Sequence, residues 1–375
     1  MAAAVTADAT AIGRPLAALD TPALVVDLGA FERNVERMAD TIVRRAGVRW
    51  RPHIKGLKTP PLVQQLLAAG ARGITCAKLG EAEVMAAAGI TDILIANQIV
   101  GETKIARLVA LRRRAELTDL VVAVDDAANV DAIDRAAREA GTTVRLVIEV
   151  DTGMGRAGVA PGEAVLALAR HIASRDGVRF AGLMTWESVA LRIRDPQEKR
   201  RAVEEAVGAA VASARRCAEA GLPVEIVSCG GTGTYWLSAF LPGVTEIQAG
   251  GGALSDLTYQ ERLGVPHECA LTVLTTVTSR PTPTRIVCDA GRKALSTDGV
   301  LPRPLGLPPV AGVRFSAEHG IVELAAPSAQ PRPGETFQFL AGYADTTIPL
   351  HEELYAVREG TVAAVWPILA RGKLR

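Results

Sequence analysis

The sequence predicts an α/β fold: a (β/α)8 TIM barrel joined to a second, mainly antiparallel β domain. Three observations predict it. From residue 49 to about residue 250, short β-branched runs alternate with Ala-rich amphipathic stretches, the pattern of parallel strands joined by helical crossovers. Beyond about residue 264 the helical stretches disappear and Pro, Gly and Thr rise. The length, 375 residues, makes two domains the natural expectation.

In order, the runs read as barrel strands are 49–55 (RWRPHIK), 73–78 (GITCAK), 92–97 (DILIAN), 120–125 (LVVAVD), 144–151 (VRLVIEVD), 178–186 (VRFAGLMTW), 224–229 (VEIVSC) and 246–249 (EIQA). Between them lie helical patterns such as PLVQQLLAAGA, GEAEVMAAAG, ANVDAIDRAAREAG and PQEKRRAVEEAVGAAVASARRCAEAG. Many of these end in Gly, the usual residue just past a helix. Eight strand–helix units predict closure into a barrel, with an open doubly wound sheet as the competitor. Towards the C-terminus, ALTVLTTVTS, RIVCDAG, IVELAA, ETFQFLAG and TVAAVWPI read as antiparallel strands. TPALVVDL at 21–28 precedes the barrel strands and is read with the β domain, which gives a barrel over 29–264 and a β domain from 1–28 plus 265–375. Residues 1–20 or so show no apolar periodicity and are expected to be dispensable for folding.

Composition excludes several classes of function. A net charge of +1 argues against nucleic-acid binding, which requires a basic surplus. No uninterrupted apolar run reaches the roughly 18–20 residues of a membrane span. The five cysteines show no CxxC pair and no regular spacing, as expected of reduced thiols in a cytoplasmic protein. Residues 1–15 are Ala-rich without a basic start or an apolar core, so no signal peptide is expected.

Barrel enzymes carry their chemistry at the C-terminal ends of the strands. In the first strand Arg51, His53 and Lys55 alternate onto one face. Three bases on an interior face require partners, and Lys55 is read as a lysine able to bond a carbonyl cofactor covalently. Lys58 is its rival, in the loop that follows. The seventh and eighth strands end in Cys229-Gly-Gly-Thr-Gly-Thr234 and Gln248-Ala-Gly-Gly-Gly252. Backbone N–H groups in such turns cradle phosphate, at the two positions where barrels recurrently bind it. The fifth strand leads through Glu149 and Asp151 to Arg156, a cation for an anionic cofactor oxygen. The sixth ends in Trp186-Glu187, an aromatic wall and an acid or base. A lysine opposite a phosphate cradle suits pyridoxal 5′-phosphate (PLP), which acts as an electron sink.

TPALVVDL, RPHIK, GITCAKLGEAEVMAAAGITDILIANQIVG, EVDTGMGRAGV, CGGTGT, EIQAGG, DAGRKA, AEHG and AVWPILARG together resemble the D-threonine aldolase / D-serine dehydratase family. The resemblance runs from about residue 20 to the C-terminus. It implies an alanine-racemase-like (fold type III) PLP barrel with a β domain, working as a homodimer with sites near the subunit interface. It implies that Lys55 carries the cofactor, that Arg156 faces its phenolate oxygen, and that Gln248 lies near the pyridine nitrogen. Gly231, Thr232, Gly250 and Gly251 are then placed around the phosphate.

Three departures stand out. The family pattern HxKxHK becomes His53-Ile-Lys55-Gly-Leu57-Lys58, without the second histidine. After the sixth strand, Trp186-Glu187-Ser188-Val189 lacks the histidine of the family's Tyr-His-Gly or Tyr-Glu-Gly-His run. In the metal motif Asp345 is present but Tyr343 stands where the histidine should be, with His351 as a conceivable substitute. Neutral Tyr is a poor ligand for Mg²⁺ or Mn²⁺, so weak or absent metal binding is expected.

The expected activity is that of a lyase on a small D-β-hydroxy-α-amino acid, cleaved to glycine and an aldehyde, with Glu187 or His53 as base for the β-hydroxyl and Glu187 preferred over Tyr343. A D-serine dehydratase-like lyase, a racemase or non-catalytic PLP-binding protein, and a phosphosugar barrel enzyme are the alternatives. A racemase requires a second base on the opposite face of the ring, and no tyrosine is assignable to it.

Overall fold

A computed structural model describes residues 9–375. They form two compact units. One comprises Arg37–Lys55, Leu62–Gly250 and Gly372–Arg375; the other comprises the described residues up to Glu36, Gly56–Pro61 and Gly251–Arg371. Along the chain the strands are β1 (Ala23–Asp27), β2 (Arg49–Trp50), β3 (Ile74–Cys76), β4 (Asp92–Gln98), β5 (Asp119–Val124), β6 (Val144–Glu149), β7 (Val178–Met184), β8 (Ile226–Cys229), β9 (Glu246–Ile247), β10 (Leu271–Thr282), β11 (Arg285–Cys288), β12 (Arg303–Leu305), β13 (Val310–Phe315), β14 (Gly320–Leu324), β15 (Thr336–Leu340), β16 (Glu353–Arg358) and β17 (Thr361–Pro367).

Strands β2 to β9 form an eight-stranded parallel sheet in the order β2-β9-β8-β7-β6-β5-β4-β3. A parallel bridge between His53 and Thr75 joins its two ends, with Thr75 N donating to Pro52 O at 2.9 Å and Ile54 N to Thr75 O at 2.8 Å. The crossovers include α1 (Ala127–Glu139) and α2 (Pro196–Glu219). Each starts where a side chain satisfies a free helical N–H: Asp126 accepts from Asn129 N at 2.9 Å, and Asp195 from Glu198 N at 2.8 Å. Their buried faces, Val130, Ile133 and Ala137 in α1 and Val203, Val207, Ala210, Ala214 and Cys217 in α2, follow the helical period. Gly221, at φ +80°, ends α2 in a conformation other residues avoid.

The first barrel strand is shorter than the expected 49–55. Regular pairing ends at Trp50, although Arg51 N still donates to Ile247 O at 2.9 Å and His53 N to Gln248 O at 2.8 Å, and the chain turns at Lys55.

Alternation sorts the interior of the parallel sheet into layers. At the N-terminal ends of the strands Arg51, 1% exposed, meets Asp92 at 2.8 Å and Glu246 at 3.4 Å. Above lies an apolar layer of Leu94, Val121, Ala123, Val147, Ala181, Met184 and Ile226. At the C-terminal ends the inward positions turn polar again, with Gln98, Glu149 and Gln248.

The second unit is built on a nine-stranded sheet, β13-β14-β11-β10-β1-β16-β17, with β15 pairing β10 and β12. All its pairings are antiparallel except β1 with β16. The described part of the N-terminal segment is packed against this sheet. Ala11 and Leu19 belong to an apolar cluster with Ala23, Val25, Leu274, Val357, Val362 and Val365. Gly13 N donates to Val362 O at 2.9 Å and Leu16 N to Gly360 O at 2.8 Å. Residues 1–8 of the segment lie outside the described residues. No helix among the described residues is long and apolar enough to cross a membrane, and the five cysteines are free thiols.

Candidate active site

The strand ends of the parallel sheet bring together most of the expected side chains. Lys55 Nζ stands 5.9 Å from the centre of the Trp186 ring, and the Arg156 guanidinium carbon 5.6 Å from the same centre, both within cation–π range. Trp186 in turn lies against the glycine turn after β8: a Cβ on Gly231 would come within 2.5 Å of its Nε1. One aromatic ring therefore links the lysine, the arginine and the first glycine turn.

The loop after β6 fixes where Arg156 stands. The Gly155 and Gly153 amides donate to Asp151, at 3.1 and 3.0 Å, and hold its carboxyl below the usual carboxylate range. Gly158, at φ +107°, donates its N–H to Asp125 at 2.9 Å, and a Cβ there would lie 2.7 Å from Asp151 N. Glu149, 6% exposed, meets Arg156 Nη2 at 3.4 Å and accepts from Gln98 Nε2 at 2.6 Å. Gln98 escaped the sequence reading, although it continues the inward alternation 92, 94, 96, 98 of β4.

Glu187 takes a different place from the one expected. It is 0% exposed, and its carboxylate accepts from Thr234 Oγ1 at 2.6 Å, Gly230 N at 3.2 Å and the Ser238 hydroxyl. Both oxygens are engaged by the glycine turn and the short helix after it. These three donors tie Glu187 to the glycine turn. Thr234 and Ser238 were not singled out in the sequence; their spacing of four, one helical turn, is the signal that they act together.

His53 is half-buried at the closing bridge, and its Nδ1 accepts from Lys55 N at 3.4 Å. Gly250 packs so closely on the His53 backbone that a Cβ there would overlap it. Gln248 accepts His53 N at its backbone oxygen, 2.8 Å away, and Thr232 is buried.

Gly251, Lys58, Tyr343, Asp345 and His351 belong to the other unit. Lys58 is buried, with φ +54°, and its carbonyl accepts from Ala370 N at 3.0 Å. Gly251 has no room for a Cβ beside the Tyr259 hydroxyl. His351 Nε2 donates to the Ala294 carbonyl at 2.8 Å, and burial lowers the imidazole pKa. Tyr343 Oη donates to Asp345 Oδ2. Among the described residues no three His, Cys, Asp or Glu side chains are grouped to hold a metal ion. With one carboxylate engaged by a phenol and His351 turned to a backbone carbonyl, this donor set does not fit a divalent cation.

Known proteins resemble this chain over nearly its whole length. Residues 26–254 match the family model described as alanine racemase, N-terminal domain, and residues 270–357 that described as putative serine dehydratase domain. D-threonine aldolase from Arthrobacter sp is 38% identical over 363 residues, covering 96% of this chain and 95% of that protein. 3-hydroxy-D-aspartate aldolase from Paracoccus denitrificans (strain Pd 1222) is 35% identical over 366 residues, covering 95% of this chain and 93% of that protein. The crystal structure of D-threonine aldolase from Filomicrobium marinum superposes with a TM-score of 0.91 at 37% identity, covering 97% of this chain and 99% of that one. On this evidence the chain belongs to the D-threonine aldolase / D-serine dehydratase family, with the alanine-racemase-like fold.

Proposed function

We propose that this chain is a PLP-dependent lyase that cleaves a D-β-hydroxy-α-amino acid by retro-aldol reaction to glycine and an aldehyde. The observation that carries the reading is the grouping of Lys55, Trp186 and Arg156 beside the Gly230–Gly231 turn. The residues fit PLP: a primary amine for its carbonyl, a guanidinium for an oxygen anion, an aromatic wall, and glycine turns without room for side chains. When bound, PLP draws off the electron pair left at Cα as a bond to that carbon breaks.

Lys55 anchors the cofactor covalently. Trp186 walls the ring and Arg156 faces its phenolate oxygen. Gly231, Thr232 and Gly250 surround the phosphate, and Gln248 stands by the heterocycle. Glu187 positions the phosphate turn. With Glu187 engaged, His53 is the side chain that takes the β-hydroxyl proton, a task suited to imidazole at neutral pH. Catalysis proceeds without a divalent metal. We further read the protein as a cytoplasmic homodimer, in line with its free cysteines and the family resemblance. A dehydratase reading draws support from the serine dehydratase domain match over residues 270–357.

The test is product analysis with spectra. Wild-type protein should show the visible band of lysine-bound PLP, and Lys55→Ala should lose it after dialysis. With D-threonine the product should be glycine; a keto acid and ammonia from D-threonine or D-serine would favour the dehydratase reading. A band that persists in Lys55→Ala and maps to Lys58 would overturn the assignment of the anchor.

A further inference from the structure

The main path of the nine-stranded sheet ends on β13 and on β17, and the two ends are closed by different means. β13 follows Pro308-Pro309, and its register with β14 breaks between Val310 and Gly312. A strand so interrupted offers a poor ladder to a newcomer. β17 has no such defence in its own sequence. Residues 361–366, TVAAVW, carry no charge and are rich in β-branched and aromatic side chains. That is the composition of a strand that readily adds another. The same stretch opens the AVWPILARG motif, for which the barrel chemistry has no use.

One side of β17 pairs with β16, and residues 13–16 occupy the other. Gly13 N donates to Val362 O at 2.9 Å, Val362 N to Arg14 O at 3.0 Å, and Leu16 N to Gly360 O at 2.8 Å. An antiparallel bridge joins Pro15 to Thr361. The covering segment presents no ladder of its own. Pro15 has no N–H, and 3-10 turns at Ala9–Ala11 and Leu16–Ala18 curl the chain out of the extended form on either side. Its ends, Ala11 and Leu19, are buried; between them Leu16 is half-buried and the other residues are exposed. The middle of the segment is therefore held to β17 mainly by main-chain bonds.

We propose that residues 13–16 guard the β17 edge, and that β17 uncovered is an interaction surface for a second copy of this chain, which adds its own β17 by strand-to-strand pairing. A second copy fits because the edge complements itself. Two uncovered β17 strands set antiparallel bring together the same free N–H and C=O groups, those of Val362 among them, about a two-fold axis. With no charge in residues 361–366, no like charges meet across the pair. The guard satisfies those main-chain groups within one chain and turns an irregular, proline-bearing segment outward in place of a strand.

The experiment is sedimentation velocity of the full chain over a range of concentrations, with hydrogen exchange read at the Val362 amide. Gly13→Pro sets φ to about −65° where the chain has +83°, and deletes the N–H that bonds Val362 O. It should release the segment, seen as lost protection at Val362. Its sedimenting mass should then rise with concentration, while the wild-type mass stays constant. Adding Ala363→Lys, at an exposed position of β17, charges the edge and should abolish the rise. A synthetic peptide of residues 9–19 should lower it by retaking the edge. Where Gly13→Pro fails to fold, a chain beginning at Asp20, which lacks the guard, serves for the same comparison. Protection at Val362 that survives Gly13→Pro overturns the proposal, since main-chain pairing is then not what holds the segment. So does a released segment at the wild-type mass, or a rise in mass that Ala363→Lys or the peptide leaves in place.

Discussion

The Tyr343 phenol donates a 2.9 Å hydrogen bond to Oδ2 of Asp345, two residues on. Burial, and then the Asp345 charge, raise the phenol pKa well above its ordinary value, so Tyr343 keeps its proton and remains the donor. The other Asp345 oxygen packs on the main chain at Gly56, where a Cβ would overlap it. Tyr343, standing where the family pattern has a histidine, thus holds one oxygen of the Asp345 carboxylate. We predict that turnover is insensitive to EDTA and gains nothing from Mn²⁺. Tyr343→Phe should leave that insensitivity unchanged. Tyr343→His should introduce Mn²⁺ binding, read as a rise in melting temperature with added metal that the wild type lacks. Complete loss of wild-type activity in EDTA, recovered with Mn²⁺, would show that Asp345 rebuilds a working site.

Glu187→Gln separates a loop-holding carboxylate from a catalytic base. An amide cannot accept from Thr234, Ser238 and Gly230 at once, and one buried donor left unsatisfied costs about 1–3 kcal/mol. PLP retention should fall by roughly ten-fold or more, that penalty expressed as a binding constant. The kcat of protein saturated with PLP, and its pH profile, should change little. Removing a general base would instead lower kcat by about 10²–10⁴. A fall of that size at full PLP occupancy would return the base role to Glu187.

Much of this was legible in the sequence because a parallel sheet is buried on both faces, so its strands read as continuous β-branched runs such as Asp119–Val124. The positions of Lys55, Arg156, Trp186 and the glycine turns followed from strand ends. What escaped was information carried between strands. Arg51 looked like part of a catalytic face, yet its charge is matched by Asp92 and Glu246, distant in sequence and adjacent in register. The bonds that tie Glu187 to Thr234 and Ser238 likewise reach across to the next βα turn. The N-terminal segment looked expendable because its order comes from main-chain bonds to the Thr361–Pro367 strand rather than from an apolar period.

That segment gives the third prediction. A truncation beginning at Asp20 removes Ala11 and Leu19 from the apolar cluster they share with Val25 and Val362. Burial of a leucine side chain alone contributes about 1.5–3 kcal/mol, and the lost main-chain bonds expose the edge of β17 as well. The truncated protein should melt lower in calorimetry. An unchanged thermogram would return the segment to the dispensable class.

The last prediction concerns pH and Asp256. This carboxyl is fully buried, its Oδ2 accepting from Ala344 N at 2.8 Å and its Oδ1 from Tyr259 N at 2.9 Å. Burial dominates those favourable bonds, Asp345 adds repulsion, and the pKa is pushed up to about 7. An unfolded Asp titrates near 3.9. Between those values the folded chain binds the extra proton, so stability falls as pH rises across the window. The contribution is fully present below about pH 4 and is lost as pH passes about 7. A shift of this size corresponds to roughly 4 kcal/mol. Asp256→Asn stays neutral but has one oxygen where the carboxyl has two. At pH 5 it should be less stable than wild type by about 1–3 kcal/mol, the cost of the unmet backbone donor. At pH 8 wild type carries a buried charge and the variant does not, so the difference should shrink or reverse. Titrating groups shared by both proteins cancel in that difference, so the measurement is the gap in melting temperature between wild type and Asp256→Asn at pH 5, 6, 7 and 8. Parallel curves across that range would mean that Asp256 does not titrate between pH 5 and 8.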